Sequence, residues 1–358
     1  MRLLFILLLS ISIHAFEEIP SSQIDFRPPV NDSENLVLPL QSNISEALKF
    51  HTEVKSQGKR GTCTIFSSIG YFESLLMRDG LVGDDIDLSE EWLEYVVMTR
   101  QDDEGSTSNR NFKKSLFFGL VSESTWPYLG VKWFTEPNDL GVMAQQRCGE
   151  LRDTDYFMSC LLGHRDPRLL RESDTWVKNK DPEFFEMREE ARAFKATYLK
   201  RRYSKRSDFR MDSVSQVKRM LLKNYPVILG LKLYYGSWNS SKTELHDIQP
   251  RNKNKWFNGI VGYPAPGSRD RRISGEKGGG HSILVVGYDD SIEITNKLLM
   301  DDGTYKEVKT TGAYLIKNSW GQKGFGKNFT FKGQSLPGFG WVSQEYANEL
   351  GTFYSLVR

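Results

Sequence analysis

Four residues of this chain carry the groups needed for thiolate attack on an amide carbonyl. Cys63 supplies the nucleophile, and His281 supplies an acid and base. Asn318 offers an amide that could orient the imidazole. Gln57, six residues before Cys63, offers a side-chain N–H for a developing oxyanion. This set predicts an enzyme that forms an acyl-thioester.

Cys63 opens a segment with helical periodicity. Apolar residues recur after it at spacings of three and four, which predicts one buried helix face: Ile65, Ile69, Phe72 and Leu76. Unpaired N–H groups at a helix start present roughly half a positive charge, and a protonated His281 would add a full charge. Both effects favour a thiolate at Cys63.

The elements around the other site residues are also predictable. A good N-cap predicts a helix after Ser89, Pro182 begins another, and the segment 213–223 is amphipathic. Strands are expected over 226–231, 282–288 and 313–317, the last two as a hairpin. We expect a loop excursion over 235–280 and a closing strand over 339–357. Helices that precede strands indicate an α+β chain.

The order of these residues resembles the papain-like cysteine peptidases. Lys317-Asn318-Ser319-Trp320-Gly321 follows a Gly-His-strand element, as in that family. The resemblance implies a two-lobed fold, with a helical lobe, an antiparallel β-barrel-like lobe and the active-site cleft between them. It also implies catalytic roles for Cys63, His281, Asn318 and Gln57. In papain the thiol pKa is roughly 3–4.

The chain departs from the family signature around the nucleophile. Arg60 stands where the first signature cysteine would be, so the family's disulfide at that position cannot form, and Thr64 replaces the aromatic residue after the nucleophile. The paired glycines of the groove are not obvious either. We expect these residues to line the substrate groove: Gly105, Ser106, Gly279, Gly280 and Trp320.

The N-terminus and the cysteine count indicate export. Arg2 precedes a short apolar run that ends near Ala15, which predicts a signal peptide over 1–15. The run is too short to span a bilayer comfortably, although an uncleaved anchor is the alternative. Cys148 and Cys160 could form a disulfide in an oxidising compartment, leaving Cys63 free. Three reduced thiols are the alternative.

The predicted organisation therefore has four parts. They are a signal peptide (1–15), an extended N-terminal strap (16–45), a helical lobe (46–206) with an insert at about 130–205, and a β-rich lobe (207–358). The hydrophobic content of 39% supports a packed core. A net charge of only +2 gives no case for nucleic acid. No histidine or cysteine has zinc-ligand spacing to Cys63, so we expect no metal and no cofactor.

These observations favour an exported cysteine endopeptidase, secreted or periplasmic. We expect a monomer that acts on peptide or protein substrates and keeps no stable membrane span after signal cleavage. Two alternatives stay open. The same site would serve an exopeptidase, an amidase or an acyl transferase. The lost disulfide and the insert would also suit a catalytically weak homologue that binds peptides in its groove.

Overall fold

The computed structural model describes residues 26–32, 37–99, 101–131, 133, 140–199 and 208–357. The predicted signal peptide, the first part of the strap and residues 200–207 lie outside the described residues. The α-helices in the described part are α1 (Ile44–Ala47), α2 (Cys63–Arg78), α3 (Glu90–Val97), α4 (Ser108–Phe118), α5 (Leu140–Cys148), α6 (Phe157–Gly163), α7 (Asp174–Lys180), α8 (Pro182–Phe194), α9 (Val214–Leu222), α10 (Lys242–Leu245), α11 (Lys253–Phe257), α12 (Gly275–Lys277) and α13 (Gln344–Leu350).

The strands follow mainly in the second half of the chain. They are β1 (Val227–Lys232), β2 (Ile260–Val261), β3 (Gly280–Leu299), β4 (Tyr305–Lys317), β5 (Thr330–Phe331), β6 (Gln334–Ser335), β7 (Phe339–Ser343) and β8 (Gly351–Tyr354). Six of them form one sheet in the order β2-β7-β4-β3-β1-β8, antiparallel except for the β2–β7 pair. The α+β prediction is confirmed.

Helix α2 is the central helix of the fold. Every residue from Cys63 to Met77 is buried, and the helix packs against β3 of the sheet. Its apolar side chains join those of α3 and α4 in a helical core, while a second core lies around the sheet. Cys63 is therefore placed where the helical half meets the β-rich half.

The predicted helix starts are confirmed by their caps. The Ser89 hydroxyl accepts the N–H of Trp92 at 3.0 Å at the start of α3. The Asp181 carboxylate accepts the N–H of Phe184 at 2.9 Å, with Pro182 as the first residue of α8. Each of these side chains replaces a hydrogen bond that the first helical turn cannot make internally.

The hairpin of β3 and β4 determines where the site residues meet. Leu284 pairs with Lys317 in an antiparallel register. The start of β3 and the end of β4 therefore lie at the same edge of the sheet. This register brings His281, near the start of β3, beside Asn318, which directly follows β4.

Two predictions about the β-rich half were wrong. Residues 339–357 form β7, α13 and β8 rather than one closing strand, because β7 pairs with β4 while β8 pairs with β1 at the opposite edge. The chain must therefore cross the sheet, and α13 makes that crossing. Residues 235–280 are not a loop excursion, because they contain short elements and bury the indoles of Trp238 and Trp256.

The N-terminal strap and the insert both pack against the rest of the chain. The backbone N–H of Arg27 donates to the hydroxyl of Thr352 at 2.7 Å. Phe184 of α8 stacks on Trp92 of α3, with ring centroids 5.7 Å apart. Within the residues that the structure describes, no helix has the length and apolar character needed to cross a bilayer.

Candidate active site

Cys63 is the first residue of α2 and its side chain is buried. Burial raises the pKa of the thiol to about 11. Backbone hydrogen bonds from Ser282, Thr64 and Cys63 itself oppose that rise, because they stabilise a thiolate. The sequence predicted a low thiol pKa, whereas burial favours a high one. Without a partner that stabilises the thiolate, Cys63 therefore keeps its proton at neutral pH.

His281 lies on β3, and its side chain is fully buried. Its Nε2 donates a hydrogen bond of 2.9 Å to Oδ1 of Asn318. Burial lowers the pKa of the imidazole to about 4, although the bond to Asn318 works in the opposite direction. The other ring nitrogen, Nδ1, has no hydrogen-bond partner among the described residues. Ser282, next in sequence, is the residue whose backbone contacts the Cys63 thiol.

The amide of Asn318 is fixed from a second direction. Its Oδ1 also accepts the backbone N–H of Ser319 at 2.8 Å. Two donors on one oxygen define which end of the amide faces the imidazole. Asn318 thus sets both the tautomer and the ring orientation of His281, with Nε2 carrying the hydrogen and Nδ1 free.

Trp320 covers this pair. Its indole stacks on the imidazole of His281, with ring centroids 4.4 Å apart and planes at 20°. Trp256 stacks on the indole of Trp320, and Trp238 meets His281 edge-on. An aromatic cover excludes water and so strengthens the hydrogen bond between His281 and Asn318.

Gln57 is held by the segment that follows β4. Its backbone N–H donates to the carbonyl of Ser319 at 2.9 Å, and its Oε1 accepts the Ser319 hydroxyl at 2.7 Å. Its Nε2 donates to the carbonyl of Arg60 at 2.8 Å. A primary amide has two N–H bonds, so one remains for a ligand in the cleft that Gln57 lines.

A cleft opens beside Gln57, Gly279 and Trp320. The residues that complete its lining are Gly58, Lys59, Arg60, Leu233, Tyr235, Ser240, Ser241, Lys242 and Trp256. These lining residues include two lysines and no carboxylate, so the part of the cleft wall formed by described residues is positively charged. Tyr235, Trp256 and Trp320 give the lining an aromatic part, which suits a peptide side chain.

The remaining predicted groove residues occupy different positions. Gly105 is half-buried and Ser106 is buried, and neither lines this cleft. Gly280 pairs with Lys232 at the start of β3. The glycine run has a structural reason at Gly278, where a Cβ would lie 2.2 Å from the carbonyl oxygen of Leu233. That close approach allows no side chain.

Cys148 and Cys160 form a disulfide in the structure, and Cys63 is the free cysteine. The disulfide links the end of α5 to α6, within a small apolar cluster that includes Trp133 and Leu151. In the described part of the chain, no group of three His, Cys, Asp or Glu side chains could hold a metal ion.

Sequence reasoning missed several residues of the site. Ser319 contacts both Gln57 and Asn318, and its place between Asn318 and Trp320 was a signal that could have indicated a role. Trp238 and Trp256 were hidden in the segment interpreted as a loop. Lys59 and Lys242 contribute charge to the cleft, and no spacing in the sequence connects them.

Solved structures with this fold exist. Xylellain, a cysteine protease from Xylella fastidiosa, matches with a TM-score of 0.50 and 18% identity, over 95% of this chain and 96% of that one. This likeness shows that the chain has the predicted papain-like fold. Two weaker matches are the cysteine protease and lectin-like domains of Cwp84, a surface layer associated protein of Clostridium difficile (TM-score 0.47, 16% identity, 94% of this chain and 56% of that one), and the bromelain protease from Ananas comosus (0.42, 13%, 88% and 98%).

No family model matches the chain, and no curated protein matches it in sequence.

Proposed function

We propose that this protein is a cysteine peptidase in which Cys63 attacks the carbonyl carbon of a peptide bond. The observation that carries the proposal is the hydrogen bond between His281 Nε2 and Asn318 Oδ1, which leaves Nδ1 as the free ring nitrogen. Cys63 contacts the backbone of Ser282, the residue that follows His281 in the sequence. These contacts support the roles of nucleophile, base and orienting amide that the resemblance implies for Cys63, His281 and Asn318.

The proposed reaction begins with a neutral pair. The proton on Cys63 Sγ passes to His281 Nδ1 as the sulfur attacks, so that thiolate and imidazolium form together. One buried charge alone would be costly, and the attraction between two opposite charges created together offsets part of that cost. The developing oxyanion accepts hydrogen bonds from the side-chain N–H of Gln57 and from the backbone N–H of Cys63.

The intermediate then collapses to products. The C–N bond breaks, and the leaving amine takes the proton from His281 Nδ1, which gives an acyl-thioester on Cys63. Water attacks that thioester, giving one proton to Nδ1. The C–S bond breaks, the carboxylic acid leaves, and the thiolate regains the proton from the imidazolium.

We further propose endopeptidase action and export to the cell exterior or the periplasm. A cleft lined by aromatic and cationic side chains beside Gln57 and Trp320 offers space for chain on the leaving side of the scissile bond. The Cys148–Cys160 disulfide supports an oxidising compartment, since such bonds are rare in reducing ones.

Peptide mapping of the reaction products tests this function. The purified protein and its Cys63→Ala variant are incubated with a denatured protein, and new termini are identified by mass spectrometry. We expect internal cleavages that the Cys63→Ala variant does not make. Removal of terminal residues alone would contradict endopeptidase action. Absence of any cleavage by a wild-type protein whose Cys63 reacts rapidly with iodoacetamide would contradict the peptidase proposal.

A further inference from the structure

Arg60 lies three residues before the nucleophile and is almost completely buried, with 1% of its side chain exposed. Its guanidinium is surrounded by acceptors. Nε donates to Glu104 Oε1 at 2.8 Å, and Nη1 donates to Glu91 Oε2 at 3.0 Å and to the carbonyl of Leu129 at 2.7 Å. Nη2 donates to the carbonyl of Leu162 at 3.0 Å and also contacts Glu94. We call Arg60, Glu91, Glu94 and Glu104 the Arg60 cluster.

Glu104 connects this cluster directly to the loop that leads to Cys63. One of its carboxylate oxygens accepts from Arg60, and the other accepts the backbone N–H of Gly61 at 3.0 Å. Gly105 and Ser106, the predicted groove wall, follow Glu104 in sequence. The buried carboxylate of Glu104 therefore connects the loop that precedes Cys63 to the predicted groove residues Gly105 and Ser106.

The backbone of Arg60 reaches the oxyanion side of the site. Its carbonyl accepts the hydrogen bond from Gln57 Nε2. Tyr128 supports the same loop, because its hydroxyl donates to the Gln57 carbonyl at 3.0 Å and lies 2.7 Å from the Thr62 hydroxyl. The guanidinium of Arg60 lies over the Tyr128 ring, 5.3 Å from its centroid. Fixing Arg60 thus fixes the amide that would meet the oxyanion.

The pKa shifts of the glutamates show how the charges of the Arg60 cluster interact. Burial acts to raise the pKa of Glu91, but Arg60 and His164 overcome it and lower that pKa, so Glu91 is ionised against the guanidinium. Burial raises the pKa of Glu94 well above its ordinary value, and Glu104 and Glu91 add to the rise. Arg60 acts in the opposite direction and lowers the pKa of Glu94. A planar guanidinium offers five N–H donors in a fixed geometry, whereas a lysine offers three on a rotating ammonium group.

We propose that Arg60 is a positioning residue. Its guanidinium, clasped by Glu91, Glu94 and Glu104, keeps loop 57–63 in the geometry that presents Gln57 and Cys63 to one carbonyl group. This inference rests on the proposed function for the reaction that it serves. The buried ionic contacts occupy the place where a cysteine would cross-link the same loop. Unlike a disulfide, these contacts do not depend on the redox state of the compartment.

Glu104→Gln is the most informative variant, because it keeps the side-chain shape but leaves one of the two donors without an acceptor. We expect kcat for peptide cleavage to fall by about 10-fold or more, with KM changed by less than about 3-fold, since small displacements of catalytic groups cost up to about 100-fold. We also expect alkylation of Cys63 by iodoacetamide to change by less than about 3-fold, because that reaction forms no oxyanion.

Hydrogen exchange provides a readout that does not depend on activity. Amides of residues 57–63 should exchange about 10-fold faster in Glu104→Gln than in the wild type, as expected when a local restraint is lost. Arg60→Met should give the same changes with a larger amplitude. If that variant does not fold, Glu104→Gln alone decides the question.

Arg188→Met is the matched control. Its guanidinium is also buried and donates to the carbonyls of Leu169 and Glu172 and to Asp174, and these partners lie outside loop 57–63. Wild-type kcat and wild-type exchange in Glu104→Gln would overturn the proposal, as would equal loss of kcat in Arg188→Met. If the wild type cleaves no peptide, the proposed function fails, and the exchange comparison still decides whether Arg60 restrains the loop.

Discussion

We propose that Cys63 and His281 act as a pair that shares one proton. With a thiol pKa of about 11 and an imidazole pKa of about 4, the pair rests across neutral pH as a thiol and a neutral imidazole. Moving the proton from sulfur to nitrogen converts the neutral pair into the reactive ion pair. The pair can therefore stay buried at rest and still generate a thiolate during attack.

A substitution at Asn318 tests how this residue sets the pKa of the His281 imidazole. Asn318→Asp would place a carboxylate against Nε2 of His281, in the position of the present amide oxygen. A negative charge there stabilises the imidazolium, so the pKa of His281 should rise from about 4. The acid limb of kcat/KM against pH should move to higher pH.

Asn318→Ala is the companion variant, in which the ring loses its orienting bond and kcat/KM should fall by roughly 10- to 100-fold. An acid limb that does not move in Asn318→Asp would contradict the assigned contact.

Gln57 tests the oxyanion contact. Gln57→Ala removes a side-chain donor that is used only when the carbonyl oxygen becomes negative, so kcat should fall by about 10²–10³ with KM little changed. Steady-state kinetics on a peptide amide measures this split. Ser319→Ala keeps the donor but removes the hydroxyl that holds Gln57 Oε1, so a smaller loss of kcat is expected. A rise in KM alone would show that Gln57 binds substrate rather than stabilising the intermediate.

The elements that form the cleft determine which peptides fit. The turn after Gln57 and helix α10 bring Lys59 and Lys242 to the described wall of the cleft. We expect substrates with Asp or Glu on the leaving side of the scissile bond to have lower KM than those with Lys. Partly exposed charge pairs contribute at most about 1 kcal/mol, so the difference should be roughly 5-fold or less and should shrink with salt.

Lys242→Glu should weaken or abolish the preference for acidic residues, because the new carboxylate offsets the charge of Lys59. KM is measured on paired peptides that differ at one residue. Lys253→Glu is the matched control, because its side chain is on α11 and does not line this cleft. An unchanged preference in Lys242→Glu would contradict the placement of the leaving segment in this cleft.

The local elements were predictable from sequence because their signals are local. The caps of α3 and α8, the apolar face of α2 and the β3–β4 hairpin all follow from residues close together in the chain. The register of that hairpin then brings His281 to Asn318. The crossing through α13 was not predictable, because it depends on which sheet edges β7 and β8 occupy.

The surroundings of the site could not be predicted from the sequence either. Arg60 was visible as a departure from the family signature, but its partners lie 31 to 102 residues away along the chain. The pKa of Cys63 depends on burial between α2 and β3, which no local pattern reveals. Charge at a helix start was the local signal, and desolvation is the larger effect.

For the molecule as a whole, the Cys148–Cys160 disulfide should contribute stability without affecting catalysis. A loop of this length stabilises a fold by about 3 kcal/mol by restricting the unfolded chain. The Cys148→Ser/Cys160→Ser double variant should lose about that free energy of unfolding in denaturant titrations and keep its kcat. Mass analysis without reduction should show one free thiol per chain. Three free thiols in the exported protein would contradict both the disulfide and the oxidising compartment.

The pH dependence of Cys63 alkylation is the most direct test of the proposed pair. Iodoacetamide labelling is followed by mass spectrometry in the wild type and in His281→Ala. If the imidazolium stabilises the thiolate as an ion pair, the wild-type rate should vary less with pH between about pH 5 and 10 than the rate of His281→Ala, and it should fall at lower pH as the pair takes up a second proton. His281→Ala should react at least about 10-fold more slowly at pH 7, with a rate that rises toward the thiol pKa of about 11. Identical rates and identical pH profiles in the two proteins would show that sulfur and imidazole do not act together.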